Sequence, residues 1–166
     1  MRNRAAAALA FLIGAVMVTQ AIAAERGPVT DLPLPRYVSL KAVEGNARRG
    51  PGMDYRVDWV FRHRSMPLRV TAEHGHWRRV EGSDGVGGWM HYALLSGVRT
   101  VRVEEEMTPL YMQADTRAPL VAYLEKGAIA RLMQCSETWC RLNAQGTRGW
   151  ARRAALWGVD AHEIVD

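Results

Sequence analysis

Two cysteines, a histidine cluster and a glycine-rich turn are the places in this chain where residue type and spacing could support chemistry. Cys135 and Cys140 stand in "CSETWC". Either one, acting as a nucleophile, would need a free thiolate and a histidine beside it in space. None of the five histidines is near this pair in sequence. Their spacing suits the two sides of a tight β-hairpin, and in an oxidising compartment such a pair becomes a disulfide. A loop that small contributes only ~2 kcal/mol, so the bond would be a local staple. A redox-active or metal-binding pair is the alternative. His74 and His76, in "EHGHW", form the best metal candidate, with Glu73 adjacent and His91 able to approach across a small barrel. A sure third ligand is lacking, and polar residues at a hairpin tip are the plainer reading. No metal and no other cofactor is expected. "GSDGVGG" lacks the Gly-Lys-Ser/Thr and the following helix of a phosphate-cradling loop. Serine, histidine and aspartate occur without a spacing that singles out a triad. The expectation is a protein that is not an enzyme.

Binding is what remains, and it depends on the elements that would carry the side chains. The chain says one thing twice. "HWRRVEGSDGVGGWMHYALLSG" starts at His76, and "TWCRLNAQGTRGWARRAALWG" starts at Thr138. Trp77 aligns with Trp139, Gly88-Trp89 with Gly149-Trp150, Leu95 with Leu156, and Gly97 with Gly158, 61 or 62 positions apart. Repetition on that scale predicts two small domains in tandem. Their local patterns are those of strands. "PLRVTA" alternates Leu68, Val70 and Ala72, and "RTVRVEE" alternates Val101 and Val103. "GSDGVGG" reads as the turn between two strands. "HYALLSG" and "RAALWG" are long enough for one 3₁₀ turn. Each unit is therefore several short strands, a tight hairpin and a closing turn, which together make a small β-barrel. Trp77, Trp89, Trp139 and Trp150 recur at matching positions, so they are expected as the aromatic core of the two barrels.

"GNARRGPGMDYRV", then Pro67 to Val70, then "HWRRV", then "GGWMHYALLSG" resembles the bacterial SH3 domain, SH3b. Asn46, Arg48, Gly50, Pro51, Trp77, Val80, Gly88, Trp89 and Leu95 sit on its pattern. The second copy keeps the back half but shows "TPLYMQA" in place of the Asn-x-Arg-x-Gly-Pro opening. The tandem form behind a leader looks like exported SH3-domain proteins of Gram-negative bacteria. The resemblance implies an all-β fold with an SH3b-like barrel over 37–97 and a second over 98–159. It also implies ligand binding through the long loop of the first copy, where Tyr55 and Trp59 are the surface candidates. Arg48 and Arg78, with Arg49 beside them, would add cations for a carboxylate. Members tend to bind peptidoglycan or proteins of the envelope. The expected function is thus docking to peptidoglycan or another envelope component, and the alternative is a protein–protein adaptor that does not touch the wall.

The ends fit that setting. Arg2 and Arg4 precede an apolar run from Ala5 to Val18, and Ala21-Ile22-Ala23 supplies small residues for a signal peptidase. Residues 1–23 read as a cleaved secretory signal, with an uncleaved anchor as the competing reading. Cleavage would send the protein to the periplasm or outside the cell, and no later segment is apolar enough to span a membrane. "ERGPVTDLPLPRY" is rich in proline, so 24–36 is expected as a linker or extended arm, and 160–166 as a tail. The chain carries 22 Lys and Arg against 17 Asp and Glu, a net charge of +5, two units of which leave with Arg2 and Arg4. In an exported protein such a mild excess suits either anionic envelope polymers as partners or simply a solvated surface of mixed charges, and no nucleic acid partner is expected.

Overall fold

The computed structural model of the protein describes residues 25–166. The expected signal sequence lies outside the described residues. Among the described residues, no helix is long and apolar enough to cross a membrane.

The protein is all-β. A short hairpin of β1 (Glu25–Arg26) and β2 (Pro33–Leu34) leads into the first unit. That unit contains β3 (Arg36–Leu40), β4 (Gly45–Arg48), β5 (Val57–Phe61), β6 (Pro67–His74), β7 (Trp77–Glu81), β8 (Gly87–His91) and β9 (Leu95–Ser96). The second unit contains β10 (Thr100–Val103), β11 (Met107–Tyr111), β12 (Leu120–Glu125), β13 (Ile129–Cys135), β14 (Trp139–Ala144), β15 (Thr147–Arg152) and β16 (Leu156–Trp157). The strand order is β5-β4-β8-β7-β6-β3-β9 in one sheet and β12-β11-β15-β14-β13-β10-β16 in the other. Element for element these are the same topology, so the second unit is a complete copy despite its divergent opening. Each unit is a small SH3-like β-barrel. Single 3₁₀ turns, Tyr92–Leu94 and Arg153–Ala155, precede the last strand of each.

The repeated Gly-Trp has a steric cause. In each unit the second and sixth strands meet through one register pair, Arg48 with Trp89 and Tyr111 with Trp150. A Cβ on Gly88 would stand 2.6 Å from the Arg48 carbonyl oxygen, and one on Gly149 would stand 2.8 Å from that of Tyr111. Only glycine lets the two backbones approach so closely.

The cores are mostly aliphatic. Leu34, Leu40, Ala47, Phe61, Leu68, Val70, Val80 and Met90 fill the first barrel. Val101, Val103, Leu110, Leu124, Leu132, Leu142 and Leu156 are at the centre of the second, together with Cys135 and Cys140. The expected tryptophan core is corrected at three of its four positions. Trp77, Trp89 and Trp150 are only half-buried and lie outside both clusters. Trp139 is buried, but it packs edge-on to Tyr111 and under the Arg152 guanidinium. A barrel this narrow has room inside for Leu and Val, so the bulkier indoles cover its flanks instead.

The segments expected as a linker or extended arm and as a tail are both docked onto the barrels. Leu34 is part of the first core. Glu73 accepts hydrogen bonds from the Val29 and Thr30 amides at 3.0 and 2.9 Å, from Thr30 Oγ1 at 2.6 Å and from Arg36 at 2.7 Å. At the other end, Val165 pairs with Cys135 through both backbone groups, and Glu163 binds Arg99.

Candidate functional site

The long loop between β4 and β5 is built around Arg48 and two glycines. The Arg48 guanidinium donates to the Met53 and Tyr55 carbonyls at 3.0 and 2.6 Å, which closes the loop from below. The Tyr55 ring lies on Gly50, where a Cβ would come within 2.5 Å of a ring carbon. Arg49 and Arg56 converge on Asp58 at 3.1 and 2.6 Å. Those bonds, Arg56 first and Arg49 second, hold the Asp58 carboxyl below the usual carboxylate range. The result is a braced loop that presents aromatic surface: Tyr55 is 46% and Trp59 44% exposed.

Trp59 shares a strand face with the buried Phe61, but at the sheet edge. There it lines a cleft between the two barrels. Arg48, Arg49, Asp58, Arg79 and Trp89 line a second, open groove together with Gly87 and Gly88.

Of the expected ligand residues, Tyr55 and Trp59 are surface aromatics of one loop and strand. Arg48 lies beneath them as a brace. Arg78 is elsewhere. It is 8% exposed, donates to the Gly75 and Trp77 carbonyls at 2.8 and 2.9 Å, and has Nε 3.5 Å from Glu73. Strand alternation explains this: Arg79, not Arg78, pairs with Trp89 and faces the groove. Arg79 is the cation that sequence reasoning missed, and the period-2 rule counted from buried Val80 could have found it.

The histidine cluster is aromatic in character. His91 stacks on Tyr92 with centroids 5.0 Å apart, His76 lies 5.9 Å from His91, and Trp77 meets His91 edge-on at 5.5 Å. Glu73, the carboxylate considered with them, is turned to Thr30 and Arg36. Burial would raise its pKa, but the hydrogen bonds from Thr30, Arg36 and Val29 outweigh that and lower it to about 2. Cys135 and Cys140 form a disulfide between β13 and β14, both residues being buried. Neither thiol is therefore available as a nucleophile.

The chain matches the family model described as the bacterial SH3 domain twice, over residues 41–97 and 104–158. No curated protein matches it. Among solved structures, NlpC2 from Trichomonas vaginalis aligns at 13% identity with a TM-score of 0.35, over 76% of this chain and 50% of that one. NlpC1 from the same organism aligns at 12% identity with a TM-score of 0.34, over 82% of this chain and 50% of its own. The chain thus spans about half the length of either structure.

Proposed function

The chain belongs to the bacterial SH3 domain family, and from that premise we propose that it is a non-enzymatic, exported binding module that docks to peptidoglycan or another envelope component. The observation that carries this reading is the braced loop. Tyr55 and Trp59 are held half-exposed on a rigid frame, and Arg49, Arg56 and Arg79 are clustered around the single carboxylate of Asp58. Exposed aromatic rings on a braced frame suit contact with the apolar faces of a ligand. The surrounding cations suit the carboxylates of a wall peptide.

Co-sedimentation with purified sacculi across a salt series tests the reading. Saturable binding should survive moderate salt, because aromatic contact is not screened whereas charge attraction alone is. Tyr55→Ala and Trp59→Ala should each weaken it by about tenfold or more while the fold stays intact. Binding that vanishes with modest salt, or that ignores both substitutions, counts against the proposal.

A second reading is a protein–protein adaptor. The observation favouring it is β12, an edge strand with Leu120, Val121 and Tyr123 exposed and no charge before Glu125. Such an edge can accept an added strand from a partner. An adaptor would leave sacculi in the supernatant and crosslink to one envelope protein in the periplasm.

A further inference from the structure

The cleft between the barrels has a volume of about 330 Å³ and needs both units to exist. Trp59 and Phe61 come from the first barrel, Arg102 and Trp157 from the second, and Ser83 and Asp84 from the β7–β8 turn stand at the rim. Its size lies at the lower end of the range of about 300–1,000 Å³ in which small ligands bind.

The rim has hydrogen-bonding capacity but little free positive charge. Arg62 is paired with Glu44 at 3.4 Å. Arg102 is paired with Glu104 at 2.9 Å and donates to Ser83 Oγ at 2.8 Å. Asp84 accepts the Val86 amide with Oδ1 at 3.1 Å, and its second oxygen remains as an acceptor for a ligand hydroxyl. A carboxylate ligand would meet arginines already matched. A ligand with an apolar face and several hydroxyls would meet an exposed indole, a second indole in the same cleft, and donors and acceptors beside them.

We propose that this composite cleft binds an uncharged pyranose ring of a glycan, stacked on Trp59 and hydrogen-bonded at its edge to Asp84 and Arg102. This deepens the envelope-binding reading and rests on it for the source of the glycan. It separates the labour of the surface: the sugar sits between the barrels, and acidic peptide groups face the Arg49–Arg79 groove.

The test is a titration of ¹⁵N-labelled protein with the trimer of N-acetylglucosamine and, separately, with an acidic stem tetrapeptide that carries no sugar. The trimer should saturably shift the indole N–H signals of Trp59 and Trp157 and the backbone signals of Ser83 and Asp84. The tetrapeptide should leave these in place. Trp59→Ala should weaken trimer binding by roughly tenfold or more. Asp84→Asn, which keeps the acceptor for the Val86 amide, should weaken it by a smaller factor with the spectrum otherwise unchanged. Cleft signals that stay still at millimolar trimer, or that answer to the tetrapeptide instead, overturn the proposal. If sacculi still sediment the protein in that case, the wall-binding reading stands without it. Cleft shifts without sedimentation would support the glycan site and remove the wall-binding reading.

Discussion

Glu73 ties the N-terminal hairpin to the first barrel. Its side chain is fully buried and bonded to the N-terminal hairpin, to Arg36 at 2.7 Å and to Arg78 at 3.5 Å. A folded pKa of about 2 against an ordinary 4.5 fixes the direction of the pH dependence. The charged carboxylate is favoured by folding. Its contribution is therefore complete above about pH 4.5 and is lost as pH falls through about 2, with a size on the order of 3 kcal/mol. Glu73→Gln should lower unfolding stability at pH 7 by about that amount, since it strands two arginines. In urea titrations the gap to the unaltered protein should close between pH 4.5 and 2. A gap independent of pH would show that Glu73 acts through shape alone. This role was hidden in the sequence. The alternation of Leu68, Val70 and Ala72 points Ala72 inward, but a register shift between Val70 and Ala72 buries Glu73 instead. A bulge leaves no mark in the residues that form it.

At the scale of elements, more could be read. The duplicated Trp, Gly-Trp and closing glycine located both hairpins and both 3₁₀ turns, because each depends on local sterics that glycine and alternation record. Duplication also hides differences. Gly97 and Gly158 occupy equivalent places, yet a Cβ on Gly97 meets nothing within 4 Å. Gly158 has φ +115, and a Cβ there would lie 2.6 Å from the Thr100 carbonyl oxygen. Gly97→Ala should therefore change stability by less than about 0.5 kcal/mol. Gly158→Ala should cost about 1–3 kcal/mol, because it combines a strained backbone with a backbone clash. Chemical denaturation of the two variants reads the contrast, and equal effects would refute it. Trp77, Trp89 and Trp150 misled for a related reason: recurrence shows that a position matters to the fold, but not whether it points into the barrel or along its flank. The terminal segments follow the duplication too. Glu73 receives the N-terminal hairpin, and Cys135, 62 positions on, pairs with the C-terminal Val165. The same strand end in each barrel thus takes a terminus, by a side chain in one and by backbone in the other. Proline content alone made residues 24–36 look like a spacer, because a hairpin held by a distant buried carboxylate has no local signature.

At the scale of the molecule, the two barrels touch through a small set of contacts that nothing in the repeat foretold. Only Gly97–Arg99 separates β9 from β10. Across that joint the Tyr37 ring meets Trp157 edge-on at 5.3 Å, and the Arg99 guanidinium lies 5.5 Å over Tyr37. Thr100 Oγ1 donates to the Ser65 carbonyl at 2.7 Å. These contacts hold the walls of the glycan cleft in place, so coupling and binding should fail together. Trp157→Ala should split a single thermal transition into two, since neighbouring small domains unfold independently once their interface is lost. Tyr37 gives the same claim a pH signature. Burial foremost, and then the Asp160 carboxylate, raise its phenol above the ordinary value of 10.0. The neutral ring is the form that folding favours. Its contribution is present below about pH 10 and is lost as pH rises through the higher folded value. Tyr37→Phe keeps the edge-on packing and removes the ionisation. It should therefore retain one coupled transition at alkaline pH, where the unaltered protein begins to separate into two. Calorimetry of both proteins from pH 8 to 11 decides the point: if they separate at the same pH, the barrels are not held through this ring.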